Sequence, residues 1–381
     1  MLLDHAEEPN YVCIFPHLYN FQLIKDVGMI PFTMGKLFNY QASIVTYPND
    51  DYSYMDHDLK NKNFKLNFIK KRFKNHKYDI ILYLLRNSRS IDVLHVFHFH
   101  DTLNILIYFL IYKSMNWNGK IYAKLDADYD LTTFLAEDEG FWPFVRNFIL
   151  KYLVDVLSVE TEENYHRLLN SNLNYQGKLI YMPNGVDIHI KKNQIQTDNK
   201  KDYILTVGRL GSKEKATEVL LEAFSKIRDF RNWKLILVGD FEDQFQDYVN
   251  EYFQNNPHLK EKVYLAGFIE DREKIYQYYA QSRIFCFTSR RESFGIALVE
   301  AAYFGNYLVS TDVGGARDVL KVTEYGELFE IDNVDMLTNR LEDLINNWRK
   351  YESNPNQKMC LMEENFSWSH LCEKLYKKLN E

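Results

Sequence analysis

The chain is short of cysteine, of net positive charge and of long apolar runs, and each shortage removes a class of function. Its four cysteines, Cys13, Cys286, Cys360 and Cys372, stand far apart with no C-x-x-C pair, so neither a zinc framework nor a disulfide scaffold is expected. A reducing, cytoplasmic setting fits them. Formal net charge is -7 and the pI about 5.9, which argues against nucleic acid as the partner, since duplex binders carry a basic excess. The longest apolar run, Ile105 to Tyr112, falls well short of the roughly 20 residues that span a bilayer. The first residues, Met1 to Glu8, are acidic and lack a basic stretch followed by an apolar core, so no secretory signal is expected.

What is present points to an ordinary soluble α/β protein. With 381 residues the chain exceeds what one hydrophobic core fills, so two domains are expected. Hydrophobic residues make up 46% and charged residues 26%, which leaves no room for a disordered or collagenous class. The 28 tyrosines and 26 phenylalanines suit core packing first and sugar-stacking surfaces second.

Apolar runs of strand length alternate with helical patterns along almost the whole chain, which predicts parallel sheets covered by helices. In the first half the strands fall at Tyr11 to Phe15, Ile44 to Tyr47, Val93 to Phe99, Lys120 to Leu125, Asp155 to Val159 and Lys178 to Met182. The second half restarts at Tyr203 to Val207 and continues through Lys234 to Val238, Val263 to Leu265, Ile284 to Phe287 and Tyr307 to Val309. Between them a polar stretch without periodicity reads as a linker. The expected division is therefore a first domain over 1–188, a linker over 189–201 and a second domain over 202–355. A C-terminal helix over 356–381, with an apolar stripe at Leu371, Leu375 and Leu379, packs on one of the two. Doubly wound domains bind ligands beyond the carboxyl ends of their strands, which places a ligand between two such domains.

The segment Arg291-Glu292-Ser293-Phe294-Gly295-Ile296-Ala297-Leu298-Val299-Glu300 follows an apolar strand and runs into a helix. A helix beginning near Gly295 exposes backbone N–H groups to phosphate oxygens, though a glycine in such a turn also has a purely steric explanation. Glu292 and Glu300 are too far apart along loop and helix, roughly 10 Å from a rise of about 1.5 Å per residue, for the paired carboxyls of a retaining hydrolase. They grip different parts of one ligand.

Glu292-x7-Glu300 with Phe294-Gly295 inside it, followed by Thr311-Asp312-Val313-Gly314-Gly315, resembles the donor-site signature of retaining GT-B glycosyltransferases of the family 4 type. Thr206-Val207-Gly208-Arg209-Leu210 and Lys215-Ala216-Thr217-Glu218-Val219-Leu220-Leu221-Glu222-Ala223-Phe224 resemble that family's upstream segment, Asn184-Gly185-Val186-Asp187 its domain junction, and Tyr325-Gly326 its later glycine turn. The resemblance runs from about Tyr181 to the end. It implies two Rossmann-like domains facing a cleft and transfer of a sugar from a nucleoside-diphosphate donor with retention of configuration. It also implies roles: Arg209 and Lys215 neutralise the donor diphosphate in place of a metal, Glu292 contacts donor-sugar hydroxyls, and Glu300 bonds the ribose. Ser293, Phe294, Gly295 and Ile296 line the donor, the last three through backbone N–H groups. The turn before Lys215 is one residue longer than the commonest form and Ala216 replaces a glycine, so Lys213 competes as a phosphate ligand. Asp318 replaces a glutamate, and Asp126 stands where the family has a histidine, offering an acceptor but no imidazole.

The first half carries weaker signals. Gly28, a dozen residues beyond the first strand, is either a backbone approach point for the diphosphate or a bare turn glycine. His95, His98 and His100 lie on or past one strand without further zinc ligands at suitable spacing; His100 is a candidate sugar contact. Asp126-Ala127-Asp128 has metal-carrying spacing and is the one credible challenger to an expectation of no metal and no cofactor beyond the sugar nucleotide. The run Lys60 to Lys77 holds Lys62, Lys65, Lys70, Lys71, Arg72 and Lys74 without an acidic residue. Together with the aromatic stretch Phe141 to Lys151 it suits an anionic membrane surface, while a solvated face and a buried helix are the plainer alternatives. The expected partners are a sugar nucleotide and a glycan or lipid-linked acceptor, in bacterial surface-glycan or polysaccharide assembly. A phosphorylase or epimerase on the same architecture, and a silent glycan-binding subunit, are the rivals.

Overall fold

The computed structural model describes residues 8–97, 102–126, 135, 141–171, 175, 177–186 and 200–381. Two compact units emerge, one formed by 1–185 with 368–381 and the other by 186–367.

The first unit is built on a parallel sheet of seven strands among the described residues, in the order β3-β2-β1-β4-β5-β6-β7. These are β1 (Asn10–Ile14), β2 (Gln41–Thr46), β3 (Phe64–Phe68), β4 (Val93–Phe97), β5 (Lys120–Lys124), β6 (Val156–Val159) and β7 (Leu179–Tyr181). Alternation along each strand feeds two cores, as the two-residue period of a strand demands. Val12 and Ile14 point into one with Leu94 and Val96, and Tyr11 and Cys13 point into the other. The first core is covered by α3 (His76–Asn87), α4 (Thr102–Met115) and α5 (Phe141–Leu153), the second by α1 (Asp26–Leu37). A short α2 (Ser53–Asp56) and α6 (Glu162–Leu169), capped by the Thr161 hydroxyl, complete the unit.

The second unit repeats the design with the order β10-β9-β8-β11-β12-β13. Its strands are β8 (Lys201–Val207), β9 (Lys234–Val238), β10 (Val263–Gly267), β11 (Ser282–Phe287), β12 (Tyr307–Thr311) and β13 (Gly326–Phe329). The order reverses between β8 and β11, which makes their carboxyl ends the switch point of the sheet. The helices are α7 (Thr217–Ser225), α8 (Phe245–Asn255), α9 (Arg272–Gln281), α10 (Ile296–Tyr303), α11 (Ala316–Thr323), α12 (Val334–Asn347) and α13 (Pro355–Phe366).

Two strands were not legible beforehand. β3 hides its Phe64, Leu66, Phe68 alternation inside the basic run, and β13 begins at the glycine expected to form a turn. The segment over 356–381 is two helices rather than one. The break is Ser367, whose extended backbone forms a parallel bridge with Val186. α13 stays in the second unit, with Met362 and Phe366 against Leu298 and Val299, whereas α14 (Trp368–Leu379) belongs to the first, beside α1.

Candidate functional site

The switch point of the second unit is assembled by two loops that hold each other. After β8 the chain passes Gly208 and Arg209 and reaches Lys215 and Ala216, the latter left-handed at φ 48°. After β11 it passes Thr288 to Glu292 and enters α10 through Gly295, left-handed at φ 102°. The Thr288 hydroxyl donates to the carbonyls of Lys215 and Ala216, both at 3.0 Å. Arg290 spans the first loop: its backbone N–H donates to the Glu214 carbonyl at 2.7 Å, its Nη1 to the Lys213 carbonyl at 2.8 Å, and its Nη2 to Glu218 at 2.6 Å. Its Nε donates to Asp332 at 2.7 Å. Four anchors on one guanidinium and its backbone leave the Lys215 loop little freedom.

Lys215 and Glu292 form an ion pair at this point, and the Ser289 hydroxyl donates to the same Glu292 oxygen at 2.7 Å. The Lys215 ammonium also lies 5.5 Å from the centre of the Phe287 ring. Its aliphatic stem runs over Gly208, where a Cβ would come within 3.8 Å of it. The loop after β12 closes in from the other side. A Cβ on Gly314 would approach the Glu292 Cβ to 2.9 Å and the Phe294 carbonyl to 2.6 Å, and its φ is 54°. Only glycine meets both demands.

Neither α7 nor α10 has a side chain capping its first turn, whereas α9, α12 and α13 are capped by Asp271, Asn333 and Asn354. The first-turn N–H groups of a helix have no carbonyl within it to bond, so α7 and α10 present donors beside Lys215 and Glu292. Phe294 is fully buried in the core of the second unit, so only its backbone is available; Ser293 and Ile296 are half-buried.

Glu300 sits within α10, 5% exposed, and pairs with Arg272 from the start of α9. The guanidinium lies 4.8 Å from the Tyr276 ring centre and donates to its hydroxyl at 2.9 Å. Burial would lower the Arg272 pKa, but Glu300 and Tyr276 outweigh it and raise it. Burial and the Glu300 carboxylate push the Tyr279 phenol up.

Of the expected residues, the structure brings Lys215, Glu292 and the start of α10 together. Arg209 occupies the carboxyl end of β8 but is 66% exposed and turns toward Glu242, 4.0 Å away, not toward Lys215. Lys213 contributes its carbonyl to Arg290. Asp318 is buried in α11. Gly28 lies inside α1, buried, and a Cβ there would stand 1.9 Å from the Leu23 carbonyl oxygen, so close packing alone requires it. Asp126, at φ 47°, closes β5 with its N–H donating to Glu160 at 3.0 Å. Glu160 belongs to a buried charge cluster with Lys124 (2.6 Å), which also lies 3.7 Å from Asp26. Burial would lower the Lys124 pKa, but Glu160, Asp26 and Asp126 raise it. His95 is fully buried, accepts or donates at 2.8 Å with the Tyr11 hydroxyl, and is held well below its usual pKa by burial and by Lys124. His98, His100, Ala127, Asp128 and Asp187 lie outside the described residues. Among the described residues no group of three or more His, Cys, Asp or Glu could hold a metal ion.

Sequence reasoning missed Arg290, Thr288 and Arg272. Arg290 was adjacent to a recognised motif, but its targets are mostly backbone carbonyls and a carboxylate from distant segments, which no spacing reveals.

Residues 187–358 match the family model for glycosyl transferases group 1. A capsular polysaccharide biosynthesis glycosyltransferase from Staphylococcus aureus is 25% identical over 256 residues, 62% of this chain and 65% of that one. A phosphatidyl-myo-inositol mannosyltransferase from Mycobacterium tuberculosis is 28% identical over 170 residues, 43% of each chain. The chain thus spans less than two thirds of the length of these relatives. Among solved structures, an Anabaena protein crystallised with UDP and glucose superimposes with a TM-score of 0.69 at 16% identity, covering 98% of this chain and 100% of that one. Sheet orders, the switch-point loops and these matches converge: residues 187–358 are similar to the glycosyl transferases group 1, and the chain has the GT-B fold of two Rossmann-like domains.

Proposed function

We propose that the chain is a retaining glycosyltransferase that moves a sugar from a nucleoside-diphosphate donor to an acceptor hydroxyl, in assembly of a bacterial surface glycan. The observation that carries this reading is the Lys215–Glu292 pair, fixed by Arg290 and Thr288 beside the uncapped start of α10. A cation and oriented N–H groups at one point suit a diphosphate whose negative charge grows as the glycosidic bond breaks. Lys215 acts as a point charge, and Arg209, exposed at the strand end, adds a planar fork that bonds two phosphate oxygens once it leaves Glu242. Glu292 accepts from donor-sugar hydroxyls, and Glu300 from the ribose.

Chemically, the acceptor oxygen forms its bond to the anomeric carbon on the face from which the diphosphate departs. The electron pair of the broken bond leaves on the diphosphate, and one of its oxygens takes the acceptor proton. Charge compensation by Lys215 and Arg209 makes the reaction metal-independent. The capsular and mannosyltransferase relatives support an acceptor on a glycan or a lipid. The reading also includes peripheral attachment at the inner face of the membrane, supported by the exposed cations Lys60, Lys62, Lys65, Lys70, Lys71, Arg72 and Lys74.

Thermal shift against a panel of nucleoside diphosphates and their sugars, followed by turnover, tests it. A ligand at about 100 times its dissociation constant adds about 2.7 kcal/mol. One nucleotide should stabilise the protein and its sugar conjugate should be consumed, at a rate unchanged by a chelator. No stabilisation by any donor would refute the transferase reading, and a rate abolished by chelation and restored by magnesium would refute metal independence.

A further inference from the structure

The second unit holds a cavity at the end of its sheet opposite the switch point. It measures about 660 Å³ and lies between the loop before β9, the first residues of β8 and β11, and the turn Trp348–Lys350 that follows α12. Asp202 and Arg283 stand at the amino ends of β8 and β11, whereas the Lys215 and Glu292 loops leave the carboxyl ends of the same two strands. At about 3.3 Å per residue, the seven residues of β8 keep the two places roughly 20 Å apart. Pockets for small organic ligands measure about 300–1,000 Å³, so this one admits more than a single ion.

What the lining offers a ligand is almost wholly hydrogen-bond donors. Its two carboxylates, Asp202 and Glu352, are both engaged by Arg283, the first in a direct ion pair and the second at 3.4 Å. The Arg283 guanidinium also lies 5.5 Å from the Trp348 ring centre, so it braces the wall. Arg349, by contrast, is exposed and has no hydrogen bond or ion pair among the described residues, and Lys350 is exposed beside it. Arg231 is fixed in the left-handed region at φ 45°. Its N–H donates to Asp229 at 2.9 Å, its carbonyl accepts from Lys262 at 2.6 Å and its Nη1 donates to the Asn346 carbonyl at 3.2 Å. Such a backbone is uncommon outside glycine and collects at ligand clamps. The deepest donor belongs to Trp348. The ring is 7% exposed and edge-on to Trp233 at 5.4 Å, and its indole N–H is buried with no acceptor among the described residues. A buried donor left unpaired bears the full cost of its desolvation, so it calls for an acceptor.

Charge narrows the choice of acceptor. Arg231, Arg283, Arg349 and Lys350 line the cavity against Asp202 and Glu352, four cations to two carboxylates, a surplus of two positive charges. Behind the lining the charges balance. Asp229 stands 4.0 Å from Arg231, and Asp343 accepts from Asn347 and Tyr351; Lys262 and Lys200 donate to the carbonyls of Arg231 and Ser282. A carboxylate would meet half of the surplus, whereas a phosphate monoester brings about -1.5 to -2 charges at pH 7 and three acceptor oxygens. Guanidinium forks bond such oxygens in pairs. Trp233, Ile345 and Trp348 give the organic part an apolar wall.

We propose that this cavity is a second ligand site, apart from the Lys215 and Glu292 loops, that takes a phosphate monoester of a small organic molecule. Arg231, Arg349, Lys350 and the Trp348 N–H hold its phosphoryl group. The site does not depend on the transferase reading.

Isothermal titration calorimetry of the full chain with glucose 6-phosphate, adenosine monophosphate, inorganic phosphate and glucose tests it. At least one ester should bind one to one and about tenfold or more tighter than inorganic phosphate, because its body adds apolar contact, while glucose gives no heat. The tighter ester tells a sugar phosphate from a nucleotide. Arg349→Ser with Lys350→Ser should weaken that ester by about tenfold or more, as losing hydrogen bonds to a charged group does. Both positions are exposed, so unfolding temperature and donor turnover should stay as in wild type. Trp348→Phe keeps a ring, removes the N–H, and should weaken the ester by about tenfold. Lys215→Ala should bind it as wild type does. No binding of either ester, inorganic phosphate as tight as both, or an affinity that survives either set of substitutions overturns the proposal. So does an affinity that falls in Lys215→Ala, since the ester would then sit at the switch point. Ester binding without consumption of any sugar nucleotide sinks the transferase reading alone.

Discussion

Lys215 is already engaged by Glu292, so a diphosphate in the proposed donor site would share it with a carboxylate. Such a shared cation is oriented before the ligand arrives, and its removal leaves Glu292, only 12% exposed at its side chain, facing incoming negative charge without compensation. Lys215→Ala should therefore cut turnover by about 10²-fold or more, as losing a positioned electrostatic donor does. Steady-state kinetics on the folded variant decide it, and a normal rate would remove Lys215 from the mechanism. Arg272 poses a different case. It touches no expected donor group directly but holds Glu300 in the interior of its unit. Breaking a buried pair by removing one partner costs about 3–5 kcal/mol, so Arg272→Ala should lower the unfolding temperature and raise the donor KM, while Arg272→Lys restores charge but not the fork over Tyr276. A variant with unchanged stability and KM would show that Glu300 needs no such support.

At the scale of loops and helices, geometry is carried by anchors that the sequence does not announce. Arg290→Ala releases the carbonyl of Lys213 and the carboxylates of Glu218 and Asp332, yet these bonds lie near the surface, where ion pairs contribute little to stability. The expected outcome is a fall in kcat/KM of about tenfold, the cost of a misplaced group, with nearly unchanged thermal unfolding. Equal losses in both would make Arg290 a folding residue. The Asp79 carboxylate, which anchors the backbone of the loop before α3, yields a pH prediction. Its folded pKa is lowered: burial raises it, but the Tyr47 hydroxyl, the Arg72 and Phe73 N–H groups and the Arg72 charge outweigh that. A lowered folded pKa means the anchor's stability is complete above the unfolded value of about 3.9 and is lost as pH falls through the folded one. Below about pH 4 the 69–75 loop should become protease-sensitive before the sheet unfolds, and Asp79→Asn should show that sensitivity at neutral pH. What was legible beforehand follows the same division. Runs of Val, Ile, Leu and Phe announced most of the strands because burial on two faces leaves a continuous signal, and Glu292, Gly295 and Lys215 announced themselves through order along the chain. β3 did not, because an edge strand with lysine on its open side looks like a charged loop. Arg272 and Arg290 did not, because their meaning lies in partners up to 77 residues away.

At the scale of the whole chain, the second unit is a single continuous segment while the first is made of two. Where the chain enters and leaves the second unit, Val186 and Ser367 bridge in parallel and the Val186 N–H donates to the Phe366 carbonyl at 2.8 Å, so its two ends are tied to each other. That unit holds all of its own strands and both clusters of its core. The first unit does not close without α14. Trp368, Leu371, Cys372, Leu375 and Leu379 are each no more than 3% exposed and share a core with Tyr11, Val27 and Ile44. Tyr376 stacks on Phe38 at 4.8 Å as a further contact with the end of α1. Truncating a buried leucine removes its transfer energy and leaves a cavity, so Leu375→Ala should destabilise the first unit by about 2–5 kcal/mol. A chain ending at Ser367 loses the whole helix and exposes Tyr11 and Ile44 to water, a deficit that a domain of marginal stability does not survive. Unfolding followed with and without the stabilising nucleotide separates the units: the nucleotide-dependent transition should persist in the shortened chain while the other disappears. Loss of the nucleotide-dependent transition as well would mean that the second unit depends on the first for its fold, and the tie between Val186 and Ser367 would then count for nothing.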